Sequence, residues 1–209
     1  MRHLPMILAL ISLTACEKKP GQTFWVNLTN PTQAVYKNVD NYFFVGAGQS
    51  NMSHENLTGV FPNSSNVAVG GSTLYMWAKG TPFYNSMVTA CKNQTKPCVL
   101  LFWQGEAEGA DFNLDPWATE FTAMITSFRH DVGYIVPVVY VQIGQVQIGQ
   151  VTPNWSAIQA QQASVQHLGS MAMVSAADMF PDTGDGLHYG QDQYAVMQAR
   201  MYTAWEGLN

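Results

Sequence analysis

The feature that most constrains the fold is the run "PCVLLFW" at residues 97–103, which has no charged side chain and no alternation of apolar and polar positions. A strand with one face in water would alternate, so this run predicts a strand buried on both faces. Further strands are predicted at residues 41–45, 67–69, 135–143 and 171–176, and helices at residues 81–91, 115–130, 154–167 and 191–205. This alternation predicts an α/β fold, with a parallel sheet covered by helices on both faces.

Local signals support the predicted helices. Thr81-Pro82 and Asp115-Pro116 each have the residue types favoured at the N-cap and first helical position. A short helix is also predicted from Asn51. Within residues 115–130, helical spacing predicts a buried face formed by Trp117, Phe121, Met124, Ile125 and Phe128. The tandem repeat "VQIGQVQIGQV" at residues 141–151 is compatible with either a longer strand or a loop at the sheet rim.

Composition bounds the class of protein. The chain has 209 residues, a length typical of one domain, and 47% are apolar, enough for a sizeable core. The formal net charge of −5 argues against nucleic-acid binding, which favours a basic face. Only 11% of the residues are charged, which is compatible with neutral substrates such as sugars.

The N-terminus predicts export. Arg2 precedes an apolar run at residues 4–13 that is too short to span a bilayer as a mature helix. It ends in "LTAC", which resembles the lipobox of bacterial lipoproteins. This predicts a signal peptide at 1–15, a lipidated Cys16 with a tether at 16–35, a domain at 36–209 and a membrane anchor in the cell envelope. The alternative is an ordinary secretory signal with a chance cysteine, which predicts a secreted or periplasmic protein.

Two cysteines remain after Cys16. In an oxidising compartment, Cys91 and Cys98, which flank "KNQTKP", predict a local disulfide. A metal site is not expected, because no histidine or second cysteine pair lies near them in sequence. No cofactor is expected.

In open α/β sheets, sites form at the carboxyl ends of the strands. Four segments meet that condition: Gly48-Gln49-Ser50, Gly70-Gly71, Gln104-Gly105-Glu106 and "PDTGDGLH" at residues 181–188. In the last, Asp185 lies three residues before His188, a spacing that lets its carboxylate reach Nδ1 across a turn. Such a histidine could be the general base for a serine. The alternative is that Asp185 caps the next helix and His188 only packs.

Ser50, just after a strand, is placed as a nucleophile requires, and its own N–H could help bind an oxyanion. Ser50 could equally be a helix N-cap. The Gln104 side chain and a Gly70 or Gly71 amide, with Gly71 preferred, are the other candidate oxyanion donors.

The motifs "GQSNM" at residues 48–52, "WQGE" at 103–106 and "DGLH" at 185–188 resemble those of the SGNH hydrolase superfamily, and most closely the sialate O-acetylesterase and acetyl xylan esterase branch. The resemblance implies a three-layer flavodoxin-like fold. It also implies that Ser50 is the nucleophile, His188 the base and Asp185 the orienting acid, in an esterase that removes acetyl groups from a carbohydrate without a cofactor.

The sequence departs from these relatives at Ser53-His54-Glu55 and at Ala107-Glu108. His54 and Gln49 are possible substrate contacts. Glu106 could contact substrate, could replace Asp185 as the acid, or could buttress the Gln104 loop. Trp103, Trp77 and Tyr75 could stack on a sugar, although core packing is the expected role of Trp103.

Two other functions stay open. An SGNH lipase or thioesterase would usually carry "GDS" and an apolar groove, and a non-catalytic glycan-binding lipoprotein would need neither Ser50 nor His188. An α/β-hydrolase is disfavoured because Ser50 is not within G-x-S-x-G. The specific sugar and the oligomeric state are not predicted.

Overall fold

The structure is a computed structural model that describes residues 22–26, 34–111, 116–146, 154–165 and 168–208. The strands are β1 (Gln22–Val26), β2 (Ala34–Asn38), β3 (Phe43–Gly48), β4 (Ser64–Asn66), β5 (Cys98–Trp103), β6 (Val138–Gln142) and β7 (Met171–Ser175). The α-helices are α1 (Ser50–Ser53), α2 (Pro82–Lys92), α3 (Glu106–Ala110), α4 (Trp117–Val132), α5 (Asn154–Ser164) and α6 (Gln191–Gly207). Short 3-10 helices lie at Val39–Asn41, Leu57–Gly59 and Leu74–Trp77.

Strands β3 to β7 form a parallel five-stranded sheet in the order β4-β3-β5-β6-β7. The chain leaves β3 for β4 on one side and then crosses to β5 on the other. The carboxyl ends of β3 and β5 therefore flank the point where the strand order reverses, which is the usual place for a crevice in such sheets. The predicted α/β fold with a parallel sheet is confirmed.

Both faces of the sheet are covered. Val45, Leu100 and Tyr140 contribute to an apolar cluster with residues of α2, α4 and α5. Their neighbours Phe44 and Leu101 point to the other face, where the cluster includes residues of α1 and α6. Because alternate side chains of a strand enter different cores, both sets must be apolar. This explains why residues 98–103 are apolar throughout.

The helix starts and the buried helix face largely agree with the sequence predictions. Thr81 is the N-cap of α2, with its Oγ1 accepting a hydrogen bond from the N–H of Tyr84 at 3.3 Å, and Pro82 is the first helical residue. The first described residue before α4 is Pro116, its N-cap, while the predicted cap Asp115 lies outside the described residues. The buried face of α4 consists of Trp117, Phe121, Met124, Ile125 and Phe128, as the helical spacing predicted.

Two regions differ from the predicted elements. The predicted strand at 67–69 is replaced by β4 at Ser64–Asn66, although Val67 and Val69 still donate backbone hydrogen bonds to β3. Strand β4 lies at the edge of the sheet and is polar, with no fully buried residue. The apolar residues 67–69 that follow it therefore matched a strand pattern better than β4 itself. Strands β1 and β2 pair in an antiparallel sheet that was not predicted; β1 lies in the segment predicted to be a tether, and β2 extends from it into the predicted domain. Cys16 and most of the second "VQIGQ" copy lie outside the described residues.

A disulfide joins α2 to β5 through Cys91 and Cys98, whose Cα atoms are 5.4 Å apart, and the predicted pairing is confirmed. Among the helices of the described ranges, none combines the length and apolar character needed to cross a membrane.

Candidate active site

Gly48 allows the chain to turn at the carboxyl end of β3 and deliver Ser50 to the sheet edge. Its φ is +121°, and a Cβ at this position would lie 2.0 Å from the carbonyl oxygen of Trp103. No other residue fits this close approach to β5. Gln49 then donates its N–H to the same Trp103 oxygen at 2.9 Å, and α1 begins at Ser50. The N-cap is therefore Gln49 and not Ser50.

Asp185 and His188 are in contact in the loop that follows β7. Asp185 Oδ2 lies 2.6 Å from His188 Nδ1, which is the pairing that the three-residue spacing predicted. Asp185 Oδ1 accepts hydrogen bonds from the N–H groups of Leu187 and His188, each at 2.9 Å, and from the Thr183 hydroxyl at 2.9 Å. Asp182 accepts from the N–H of Gly190 and closes the loop. We call residues 182–190 the catalytic loop, after the role proposed for it below.

These donors keep the Asp185 carboxylate ionised. Its pKa is lowered from the ordinary aspartate value, first by the backbone hydrogen bond from His188, then by the His188 side chain and by the N–H of Leu187. An ionised carboxylate on Nδ1 fixes the tautomer of the imidazole and leaves Nε2 free to accept a proton. His188 Nε2 is buried and has no hydrogen-bond partner among the described residues.

Helix α1 meets the catalytic loop at two places. The Asn51 side-chain nitrogen lies 3.5 Å from the carbonyl oxygen of Leu187. The His54 ring packs on the His188 ring with a centroid distance of 4.9 Å. The helix that begins with Ser50 is therefore against the loop that carries His188. The structure shows no hydrogen bond from Ser50 Oγ to His188 Nε2, although catalytic contacts often tighten only when substrate binds.

Gln104 lies beneath this site in a polar cluster that we call the buried amide cluster and define as Gln49, Ser72, Gln104 and Glu108. Gln104 has no solvent exposure. Its Nε2 donates to Gln49 Oε1 at 2.8 Å, to the Ser72 carbonyl oxygen at 2.8 Å, and to the Glu108 carboxylate at 3.1 Å. These acceptors occupy both amide hydrogens. The geometry thus favours a structural role for Gln104 over the predicted oxyanion role.

The other two predicted substrate contacts beside Ser50 are also bound internally. Gln49 Oε1 accepts from the N–H of Ala107 at 3.1 Å as well as from Gln104, and Gln49 is only 3% exposed. Glu106 is 3% exposed, and its Oε1 accepts from Asn51 Nδ2 at 2.8 Å. Burial raises the pKa of Glu106 to about 7. Glu106 buttresses α1 through Asn51, while the acid partner of His188 is Asp185.

The glycine turn after β4 approaches Ser50 through Gly70. A Cβ built at Gly70 would lie 3.8 Å from Ser50 Cβ, whereas one built at Gly71 would meet nothing within 4 Å. The predicted choice of Gly71 is therefore disfavoured and Gly70 is the nearer residue. Gly71 has a φ of +71°, which serves the turn closed by the Ser72 N–H on the Val69 carbonyl oxygen.

Of the three aromatic residues considered for sugar stacking, Trp77 and Trp103 are fully buried, so both serve the core. Tyr75 is 74% exposed.

The family comparison decides the class of protein. The family model described as "Carbohydrate esterase, sialic acid-specific acetylesterase" matches residues 63–205. The chain belongs to this family. The matched range contains Gly70, Gln104, Asp185 and His188, while Ser50 precedes it.

Solved structures agree with the fold of this esterase family member. A protein from Arabidopsis thaliana is 19% identical with a TM-score of 0.61, and the match covers 69% of this chain and 59% of that one. A carbohydrate acetylesterase from Xanthomonas citri is 15% identical with a TM-score of 0.61, covering 79% and 56% of the two chains. A GDSL-like lipase from Bacteroides thetaiotaomicron is 14% identical with a TM-score of 0.59, covering 80% and 89%. The chain spans less than two thirds of the length of the first two. A search of curated sequences found no significant match.

Sequence reasoning missed Tyr194, whose hydroxyl donates to Asn51 Oδ1 at 3.0 Å and lies 3.3 Å from His54 Nδ1. It also missed Glu108, which accepts from the backbone N–H of Leu74 and from Gln104. No local signal marks either residue, because Tyr194 lies 143 residues from Asn51 and Glu108 lies 34 from Leu74. Only the family's preference for other residues after "QGE" drew attention to position 108.

Proposed function

We propose that this member of the carbohydrate esterase family is a serine esterase that removes O-acetyl groups from a carbohydrate through an acyl-enzyme on Ser50. The observation that carries the proposal is the Asp185–His188 pair at 2.6 Å, packed against the helix that Ser50 begins. A serine hydroxyl needs such a base, because it is a weak nucleophile near neutral pH.

In the proposed first step, Ser50 Oγ attacks the acetyl carbonyl carbon and its proton passes to His188 Nε2. Asp185 stabilises the imidazolium that forms, through the contact at Nδ1. The oxygen that gains negative charge accepts hydrogen bonds from the N–H groups of Ser50 and Gly70. Preorganised donors of this kind often supply the largest single contribution to catalysis.

Collapse of this tetrahedral intermediate transfers the proton from His188 to the departing sugar oxygen and leaves Ser50 acetylated. A water molecule then attacks the acetyl carbonyl while His188 removes one of its protons. The second intermediate collapses, Ser50 recovers its proton and acetate is released. The two half-reactions together consume one water and yield one sugar hydroxyl and one acetate.

The small acyl group is proposed from the family description, which names an acetylesterase. The family description names sialic acid, and the similar Xanthomonas citri protein is described as a carbohydrate acetylesterase. O-acetylated sialic acid is therefore the first substrate to test, and acetylated xylan the second.

The test compares wild type with Ser50→Ala and, as a matched control on the same helix, Ser53→Ala. Acetate release from p-nitrophenyl acetate and from the two glycans should fall by about 10⁴-fold or more in Ser50→Ala. It should be nearly unchanged in Ser53→Ala, since Ser53 Oγ donates only to the Ser50 carbonyl oxygen. A fluorophosphonate should add its mass to Ser50. A folded wild-type protein that neither releases acetate nor reacts with the probe would favour the non-catalytic glycan-binding alternative.

A further inference from the structure

The second histidine of the site, His54, has no role in the proposed chemistry. It lies four residues after Ser50, and its N–H donates to the Ser50 carbonyl oxygen at 3.0 Å. One helical turn therefore separates the two residues, and their side chains share a face of α1. The His54 ring packs on His188 at a centroid distance of 4.9 Å with an interplanar angle of 48°.

A chain of side-chain contacts fixes the His54 ring from behind. The Tyr194 hydroxyl gives its single hydrogen to Asn51 Oδ1 at 3.0 Å. The His54 Nδ1, 3.3 Å from the same hydroxyl oxygen, must then be the donor in that contact. Asn51 is itself held by Glu106 at 2.8 Å. In this arrangement, His54 carries a hydrogen on Nδ1. The hydrogen bonds that hold its ring connect it to Tyr194 in α6 and, through Asn51, to Glu106 in α3.

His188 lacks an equivalent support from its own loop. Among the described residues, its side chain has one hydrogen bond, at the edge of the ring where Asp185 binds Nδ1. One hydrogen bond at that edge does not by itself fix the rotation of the ring, which depends on the side chains packed around it, and a rotation would displace the buried Nε2 from Ser50. The neighbouring ring of His54 limits this rotation.

We propose that His54 is a positioning residue for the general base: its ring packs against His188 and holds Nε2 in line with Ser50. The inference rests on the proposed function, since it assigns His188 as the base. It differs from a substrate contact, because the ring face is what acts and no hydrogen bond from His54 Nε2 is required.

Two substitutions separate the ring from its hydrogen bond. His54→Phe keeps an aromatic ring but cannot bond to Tyr194, while His54→Gln keeps a polar group without the ring. His54→Ala removes both. We expect His54→Ala and His54→Gln to lower kcat roughly ten- to a hundredfold, because small misplacements of a catalytic group have effects of this size. The KM should stay within about twofold, as befits an interaction used in the transition state.

His54→Phe should recover most of the lost kcat. His130→Ala is the matched control, because His130 is 81% exposed on α4 and pairs with Asp131 away from the site. A role in substrate binding would instead raise KM in all three His54 variants, with Phe as poor as Ala, and would overturn the inference. Unchanged kcat in His54→Ala would overturn it as well.

A spectroscopic measurement makes the test independent of turnover. The His188 Nδ1–H that bonds to Asp185 should give a low-field proton resonance. We expect that resonance in wild type, Ser50→Ala, His54→Phe and His130→Ala, and we expect it to broaden or disappear in His54→Ala. If the protein hydrolyses no acetyl ester but the resonance still depends on a ring at position 54, the proposed function fails, while the contact by which His54 orders the His188 ring is upheld. If esterase activity is present and the resonance is unaffected in His54→Ala, the positioning role fails alone.

Discussion

The catalytic loop and the buried amide cluster lie at the same edge of the sheet, yet they are built in opposite ways. In the catalytic loop, the partners of Asp185 lie within three residues of it, and its side chain is half exposed. In the buried amide cluster, Gln104 bonds to residues 32 and 55 positions away and has no exposure. The loop can therefore form its contacts from local sequence, whereas the cluster requires the assembled sheet.

Two carboxyl groups buried close to α1, those of Glu106 and Glu55, show a similar contrast with Asp185. Asp185 is surrounded by donors that lower its pKa. Burial raises the pKa of Glu106 to about 7 and that of Glu55, next to His54, to about 8. A group with many donors near solvent keeps its charge, while a group removed from water holds its proton. We expect substitutions in the loop to affect catalysis most and substitutions in the buried groups to affect stability most.

The largest effect is expected for Asp185→Asn. The new Oδ1 can still accept from Leu187 and His188, so the loop should keep its shape. The new Nδ2 would donate a hydrogen bond to His188 Nδ1, which would then have to be the acceptor. The hydrogen of the neutral imidazole would move to Nε2, and Nε2 could no longer act as the base. By analogy with the same change in serine proteases, kcat should fall about 10⁴-fold.

The melting temperature of Asp185→Asn should stay close to that of wild type, because exposed ionic contacts contribute little to stability. Steady-state kinetics and thermal unfolding of one preparation would test both statements. A variant with a large loss of stability and near-normal kcat would show that Asp185 stabilises the fold and does not assist catalysis, which contradicts the expectation for the loop.

The next effect is expected for Gln104→Ala, which leaves Gln49, Glu108 and the Ser72 carbonyl oxygen without their shared donor. An orphaned buried polar group typically costs about 1–3 kcal/mol, so the free energy of unfolding should fall by at least that much. Gln162→Ala is the matched control: Gln162 is equally buried and donates to the Gln104 carbonyl oxygen at 2.9 Å.

We expect both glutamine variants to lose similar stability in urea unfolding, and kcat at low temperature to change little in either. If Gln104 were instead an oxyanion donor, as the sequence predicted, kcat would fall roughly a hundredfold or more in Gln104→Ala alone, with KM unchanged. That result would show that Gln104 acts in catalysis and is not only a structural residue of the buried amide cluster.

This contrast also explains how much the sequence could predict. Strands β3, β5, β6 and β7 followed from apolar runs, because both sheet faces are covered, whereas the polar β4 and the pair β1 and β2 did not. The Asp185–His188 pairing followed from a spacing that a single turn can close. The orientation of Gln104 did not follow, because the acceptors that turn its amide inward come from the N-cap of α1, from α3 and from the segment after β4. Tyr194 was missed for the same reason, as its partner Asn51 lies on a distant helix.

The smallest expected effect, taken per pH unit, concerns the buried carboxyl of Glu55. Glu55 is 5% exposed, and Gln198 Nε2 donates to its Oε2 at 2.6 Å. Its other oxygen is buried and has no hydrogen-bond partner among the described residues. Because its pKa is raised to about 8 in the folded protein, the folded state binds the proton more tightly than the unfolded chain does. The stabilisation is then complete below the unfolded value of about 4.3 and is lost as the pH rises towards 8.

Glu55→Gln tests this directly, since glutamine keeps the hydrogen-bonding shape but does not titrate. In wild type, Glu55 should lower the free energy of unfolding by at most about 1.4 kcal/mol per pH unit between about pH 5 and about pH 8. Urea unfolding across that range should give a flatter profile for Glu55→Gln.

Glu106, whose pKa is also raised by burial, should account for part of the remaining slope. Asp185→Asn should leave the profile in this range as steep as in wild type, because Asp185 is ionised in both states there. If the slope were unchanged in Glu55→Gln and lost in Asp185→Asn, the assignment of neutral buried carboxyls and a charged loop carboxylate would be reversed.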